Sequence, residues 1–304
     1  MPTVLKTTMR LLRSWGMLLW FTSIAAFVVW GLMSQPVSPA AILERIGLMQ
    51  VLAALALILA GKFLTILLVG HVLAAFGESR GLKFAWYAYS IADIAKYLPG
   101  GIWGITGRLH IFHRAGIQLW HAGRMLLVET LVLVAFSFSV GALAIVSVRL
   151  GWDYRSSILI LAALPVLALT VRMLIPWGES ARWVTTTAQQ LLAWVCFGCS
   201  FAVVAAPNWN AFATVAGIFN VGFAAGTVAV FAPSGLGVRE AVIAWLGGES
   251  AQANTRLLIE LAVIHRFIWI AADFLTLIPA LAFRKSVNAR MAVSTPDAGT
   301  SPGS

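Results

Sequence analysis

LMQVLAALALILAGKFLTILLV, residues 48–69, is 22 residues long and carries one charge, Lys62. A helix needs about 20 mainly apolar residues to cross the hydrocarbon of a bilayer, so this stretch reads as a transmembrane span. The pattern recurs at 15–33, 125–148, 156–175, 187–206, 211–231 and 257–283. Short connections rich in turn formers join the runs, at 35–39, 151–154, 176–178 and 207–210. The expected fold class is all-α: a polytopic transmembrane helical bundle of about seven spans with two re-entrant or broken-helix segments.

Composition agrees. Of 304 residues, 60% are hydrophobic and 11% charged, and the mean hydropathy is +0.90. A soluble domain carries about 25% charged residues, so lipid must be the solvent for most of this surface. The net charge of +10 comes without any basic run long enough to track a nucleic-acid backbone, and no nucleic acid is expected as a partner. In a membrane protein such an excess marks the cytoplasmic ends of spans. With the N-terminus inside, Lys6, Arg10, Arg13, Arg80, Lys83, Arg108, Arg114, Arg124, Arg172, Arg182, Arg284, Lys285 and Arg290 fall on the cytoplasmic side. Arg45, Arg149, Arg155 and Arg256 fall outside. The run 15–33 is longer than a signal-peptide core of roughly 7–15 residues and is expected to remain as the first span. Residues 1–286 read as one membrane domain. Residues 287–304, with Ser294, Thr295, Pro296, Gly299 and Pro302, read as a disordered cytoplasmic tail. Cys196 and Cys199 lie in an apolar run with nothing to stabilise a thiolate and are read as packing residues. His110, His113 and His121 are read as headgroup-level polar residues, and Gly222 and Gly226 as a small-xxx-small contact face.

Two stretches depart from simple spans. Residues 84–117 are broken at Tyr97-Leu98-Pro99-Gly100-Gly101, and residues 231–248 at Phe231-Ala232-Pro233-Ser234-Gly235. Proline and clustered glycines end helices. In hydrocarbon the freed backbone groups survive only against protein or a water-filled cavity. Both breaks read aromatic-x-Pro-small-Gly, then a further Gly, then an arginine, Arg108 or Arg239. With each hairpin returning to its own side, the first opens to the cytoplasm and the second to the exterior. Paired broken segments of opposite orientation point to a midplane site in a transporter.

Lys62, Lys96, Arg239 and Arg266 fall at membrane depth, with Asp93, Glu129, Glu240, Glu260 and Asp273. Each such charge costs about 2.5–3.5 kcal/mol to insert and needs a partner or a polar cavity. The amides of a broken helix start, beside an arginine, make a seat for phosphate. The candidate substrate-binding residues are therefore Lys96, Tyr97, Pro99, Gly100, Gly101 and Arg108 at the first break. Pro233, Gly235, Gly237, Arg239 and Glu240 are those at the second, and Asp273 on the last span completes the set. Arg108 and Arg239 are expected to contact phosphate, with Lys96 helping. Glu240 and Asp273 are expected to act as counter-ions or as readers of a cationic headgroup. Lys62, far in sequence from either break, is expected to matter less.

Lys96-Tyr97-Leu98-Pro99-Gly100-Gly101-Ile102-Trp103, with Gly107 and Arg108, resembles the first signature of the lysylphosphatidylglycerol synthase transmembrane family. Ala232-Pro233-Ser234-Gly235-Leu236-Gly237-Val238-Arg239-Glu240-Ala241 resembles the second, and the resemblance runs from Leu11 to Phe283. It implies the membrane half of the multiple peptide resistance factor, assigned to flipping aminoacylated lipid between leaflets of the bacterial cytoplasmic (inner) membrane. A multi-pass chain with both termini cytoplasmic is then expected. The soluble aminoacyl-transferring domain of the full-length enzymes has no counterpart in the sequence, so lysyl transfer from tRNA is not expected. The expected function is a lipid flippase or transporter that takes an anionic phospholipid or polyprenyl-phosphate headgroup into an intramembrane cavity. The alternatives are a membrane-embedded lipid or polyprenyl-phosphate transferase with Glu240 or Asp273 as base, or a non-catalytic membrane partner of a separately encoded synthase or glycosyltransferase. No cofactor and no metal are expected, and the oligomeric state is left open.

Overall fold

The computed structural model describes residues 46–97, 103–150, 163, 166–176, 182–229, 235, 237–250 and 255–293. These residues are helical, with no strand among them. The helices are α1 (Leu48–Ala75), α2 (Leu82–Ala95), α3 (Trp103–Arg114), α4 (Leu119–Arg149), α5 (Arg182–Ala205), α6 (Trp209–Val228), α7 (Val238–Ser250) and α8 (Thr255–Val293). A further helical stretch covers residues 166–174. Among the described residues, five helices are long and apolar enough to cross a membrane: α1, α4, α5, α6 and residues Leu257–Ala289 of α8. The expected span at 15–33 and the first half of that at 156–175, apart from residue 163, lie outside the described residues, as do Pro99, Gly100, Gly101 and Pro233. The last helix continues past Phe283, where the span was expected to end. Residues 287–293, expected to be disordered, are its final turns, and Val287 is buried.

Local chemistry fixes several helix ends. The Gln50 side chain accepts from the Gly47 amide at 2.9 Å where α1 begins. Asn208, just after the helix-ending Pro207, accepts from the Ala211 amide at 3.0 Å and starts α6, as N-cap asparagines do. Pro279 lies inside α8; a membrane helix tolerates it because neighbours satisfy the freed carbonyl.

Lipid tails are as apolar as leucine, so association between spans rests on close packing and interhelical hydrogen bonds. Gly141 of α4 meets Gly217 of α6 backbone to backbone: a Cβ on Gly141 would stand 2.6 Å from the Gly217 carbonyl oxygen. Gly61 of α1 receives the flat ring of Phe197 from α5. Asn220 ties three helices, donating to the Trp194 carbonyl at 3.0 Å and accepting at its own carbonyl from Ser137 at 2.6 Å. Gly222 and Gly226 are spent on internal packing, because Arg239 and Ile243 of α7 lie against them.

The short helices take part in two hairpins, α2 with α3 and α7 with the longer α6. At a rise of 1.5 Å per residue, α2 and α3 reach only about 21 and 18 Å, less than the roughly 30 Å hydrocarbon core. They fold back on one another, with Phe84 stacked on Phe112 at 6.0 Å and Gly104 against the Ala92 carbonyl. The second hairpin turns from α6 into α7, which runs back along it from the Gly226–Gly235 contact to Ile243 beside Gly222. The hairpins open at opposite ends of the bundle. The base of the first lies beside the C-terminal part of α8, where Lys83 stands over the Phe283 ring and Trp86 packs on it. The open end of the second lies beside the start of α8, where Gly247 meets Leu258.

Candidate functional site

Four interior charges, Lys62, Asp93, Lys96 and Asp273, lie in one network at the tip of the first hairpin. Lys62, in the middle of α1, is 0% exposed. Its ammonium lies 2.7 Å from Asp93 Oδ2 of α2 and also contacts Asp273 of α8. The rings of Tyr89 and Trp269 each lie 5.4 Å from it. Lys96, just past α2, reaches Asp273 Oδ2 at 2.9 Å and Asp93 Oδ1 at 3.5 Å. The Tyr97 hydroxyl donates to Asp273 Oδ2 at 2.5 Å. Two ammonium groups, two carboxylates and a phenol therefore bind the first hairpin to α1 and α8. The i,i+3 spacing of Asp93 and Lys96 announces part of this. Lys62 is far from Asp93 in sequence, but α1 and α2 cross so that residue 62 meets residue 93.

Arg108 continues the network on its far side. It donates to Glu129 of α4 at 2.5 Å and stands over the Tyr89 ring at 5.4 Å. This candidate phosphate contact is thus already paired with a buried acid.

At the second break, Gly235 and Gly237 take positive φ, +67° and +83°. Gly235 has a second constraint, since a Cβ there would lie 2.8 Å from the Gly226 backbone. Only glycine meets both demands, and the chain can then reverse tightly into α7. Glu240 caps the new helix, its Oε2 accepting from the Gly237 amide at 2.8 Å. Its Oε1 accepts from Arg266 Nη1 at 2.6 Å. Arg266 and Asp273, which share a line along α8, therefore serve different partners.

Arg239 differs from the other cations here. Its guanidinium lies 4.3 Å from the centre of the Phe223 ring, 5.2 Å from that of Phe219 and 5.7 Å from that of Trp269. Among the described residues no carboxylate pairs with it. Aspartates 93 and 273 are held by Lys62 and Lys96, Glu129 by Arg108 and Glu240 by Arg266. Below the box, His265 packs edge-on against Phe219 at 4.8 Å and bonds Ser200 at 2.8 Å.

The two hairpins meet at one place. Tyr97 follows α2 at the tip of the first and binds Asp273; Arg239 opens the return limb of the second and lies against Trp269. Trp269 and Asp273 are one turn apart on α8. The aromatic box escaped the sequence, although Phe219 and Phe223 stand at i,i+4 spacing; in so apolar a chain, such a pair looks like ordinary lining. Among the described residues no three His, Cys, Asp or Glu side chains gather as a metal site would need.

Among the described residues, five apolar helices long enough to cross a bilayer enclose a charged network at their centre and define a multi-pass membrane protein. No protein-family profile matches the chain, and no curated protein matches it.

Proposed function

We propose that this protein binds an anionic lipid headgroup inside the membrane and carries the lipid between leaflets, with Arg239 as the phosphate contact. One observation carries the reading: Arg239 is a cation at membrane depth held by three aromatic faces and by no carboxylate among the described residues. A charge in that setting is costly unless an anion completes it. A phosphate would accept two parallel hydrogen bonds from the guanidinium, at the positive end of α7, where anions are favoured. The resemblance to the lysylphosphatidylglycerol synthase transmembrane family is in keeping with this, and so is a bacterial inner-membrane location with both termini cytoplasmic. A separately encoded synthase or glycosyltransferase would supply the lipid. A transferase would need a carboxylate free to take a proton, whereas Asp273 and Glu240 are each engaged by cations.

The test is lipid movement in reconstituted vesicles, read with a fluorescent anionic phospholipid that a membrane-impermeant reductant bleaches in the outer leaflet. Arg239→Lys keeps the charge and loses the planar fork. It should fold normally, by thermal unfolding, and lose most of the movement. Full activity in Arg239→Lys would overturn the phosphate role.

A further inference from the structure

We propose a second anion site, at the base of the first hairpin, which takes the phosphate of an anionic membrane lipid. A cavity of about 240 Å³ opens there, lined by Ser79, Arg80, Lys83, Phe84, Ala115 and Ser286. It is assembled from four parts of the chain: the α1–α2 connection, the first turn of α2, the residue after α3 and the C-terminal extension of α8. Its floor is firm, since Phe84 is 4% exposed and Ala115 is fully buried. Its connection is firm too, because the Glu78 amide bonds back to the Leu73 carbonyl at 2.8 Å.

The rim is cationic. Arg80 and Lys83 line the cavity, and Arg284 and Lys285 precede Ser286 on α8. Glu78 answers only Arg80, at 3.3 Å and partly exposed, and so exposed a pair is weak. Lys83 is held over the Phe283 ring at 5.7 Å. Gly81 turns the chain into α2 at φ +78° and offers no side-chain cap. The first amides of α2 therefore open beside two cations and two hydroxyls. Phosphate is the group that accepts from all of these. Trp86 and Phe283 pack edge to face beside the cavity, as aromatic residues do at headgroup level. Basic pockets between spans at that level hold lipid phosphates. Thirteen residues of helix, about 20 Å at 1.5 Å each, separate Lys83 from Lys96, so this site is distinct from Arg239.

Hydrogen exchange of the full chain in nanodiscs locates the binding. In phosphatidylcholine discs the amides of residues 82–84 should exchange freely. Phosphatidylglycerol in the discs should slow them roughly tenfold, the size expected for a charge-assisted hydrogen bond. Glycerol phosphate and inorganic phosphate, added to phosphatidylcholine discs, form the soluble arms. Slowing by these alone would place a free phosphate in the same site and refute the lipid source. The double variant Arg80→Ala with Lys83→Ala should show no slowing. Should that variant misfold, Ser286→Trp, at an exposed position, fills the cavity and should abolish the effect. Equal exchange in all discs, or slowing by phosphatidylglycerol that persists in both variants, would overturn the proposal.

Discussion

Replacing Asp273 by asparagine removes one charge and almost no volume. Asp273 is 0% exposed and receives Lys62, Lys96 at 2.9 Å and the Tyr97 hydroxyl at 2.5 Å. In Asp273→Asn, Asp93 alone faces two ammonium groups, one of them fully buried. Breaking a buried ion pair from one side costs about 3–5 kcal/mol. The amide still accepts from Tyr97, which argues for the lower half of that range. Lys96 is 25% exposed on its side chain and can turn toward water, which trims the cost further; about 3 kcal/mol is expected. A second change restores the balance: with Lys96→Gln added, Lys62 and Asp93 remain as a matched pair. The double variant should therefore be more stable than Asp273→Asn alone, with a coupling of roughly 1–3 kcal/mol. Denaturant unfolding in mixed micelles, followed by circular dichroism, measures all three variants. If Asp273→Asn costs under about 0.5 kcal/mol, a value typical of surface sites, or if the two changes simply add, the charge-network reasoning is wrong.

Three further outcomes are expected. Lys62→Ala should lower unfolding stability at least as much as Asp273→Asn in the same assay, because it strips the buried Asp273 and the partly buried Asp93 of their shared ammonium and leaves a cavity. Gly235→Ala should destabilise by about 2–4 kcal/mol, adding the left-handed backbone cost to a forced contact with Gly226; wild-type stability would show that the turn can shift. With the proposed orientation, a cysteine at Asn208 should react with an impermeant maleimide from outside intact cells while one at Arg182 should not, and the reverse pattern would invert the chain.

Much of this fold is visible in residue types alone, because the bilayer demands long apolar runs and tolerates broken helices only where protein covers them. The tight turns follow likewise from the glycines at 235 and 237. The partners of the charges do not. Arg108 and Arg239 follow similar motifs, yet one meets Glu129 and the other meets three rings. What separates them is how α3 and α7 cross their neighbours, which no local spacing records. Lys62 shows the same limit, since its partners lie 31 and 211 residues away and only packing brings them together.

Trp269 and Asp273 give α8 a role beyond that of one more apolar helix. One turn of a single rigid rod touches the tips of two hairpins that enter from opposite ends. On the proposed function, an anion arriving at Arg239 would come close to the carboxylate of Asp273, and the repulsion would be small only while Lys62, Lys96 and Tyr97 hold that carboxylate. If that proposal holds, seating of the first hairpin and occupancy of the second would be linked equilibria. Any factor by which docking at Asp273 tightens anion binding must return as the same factor by which the anion tightens docking.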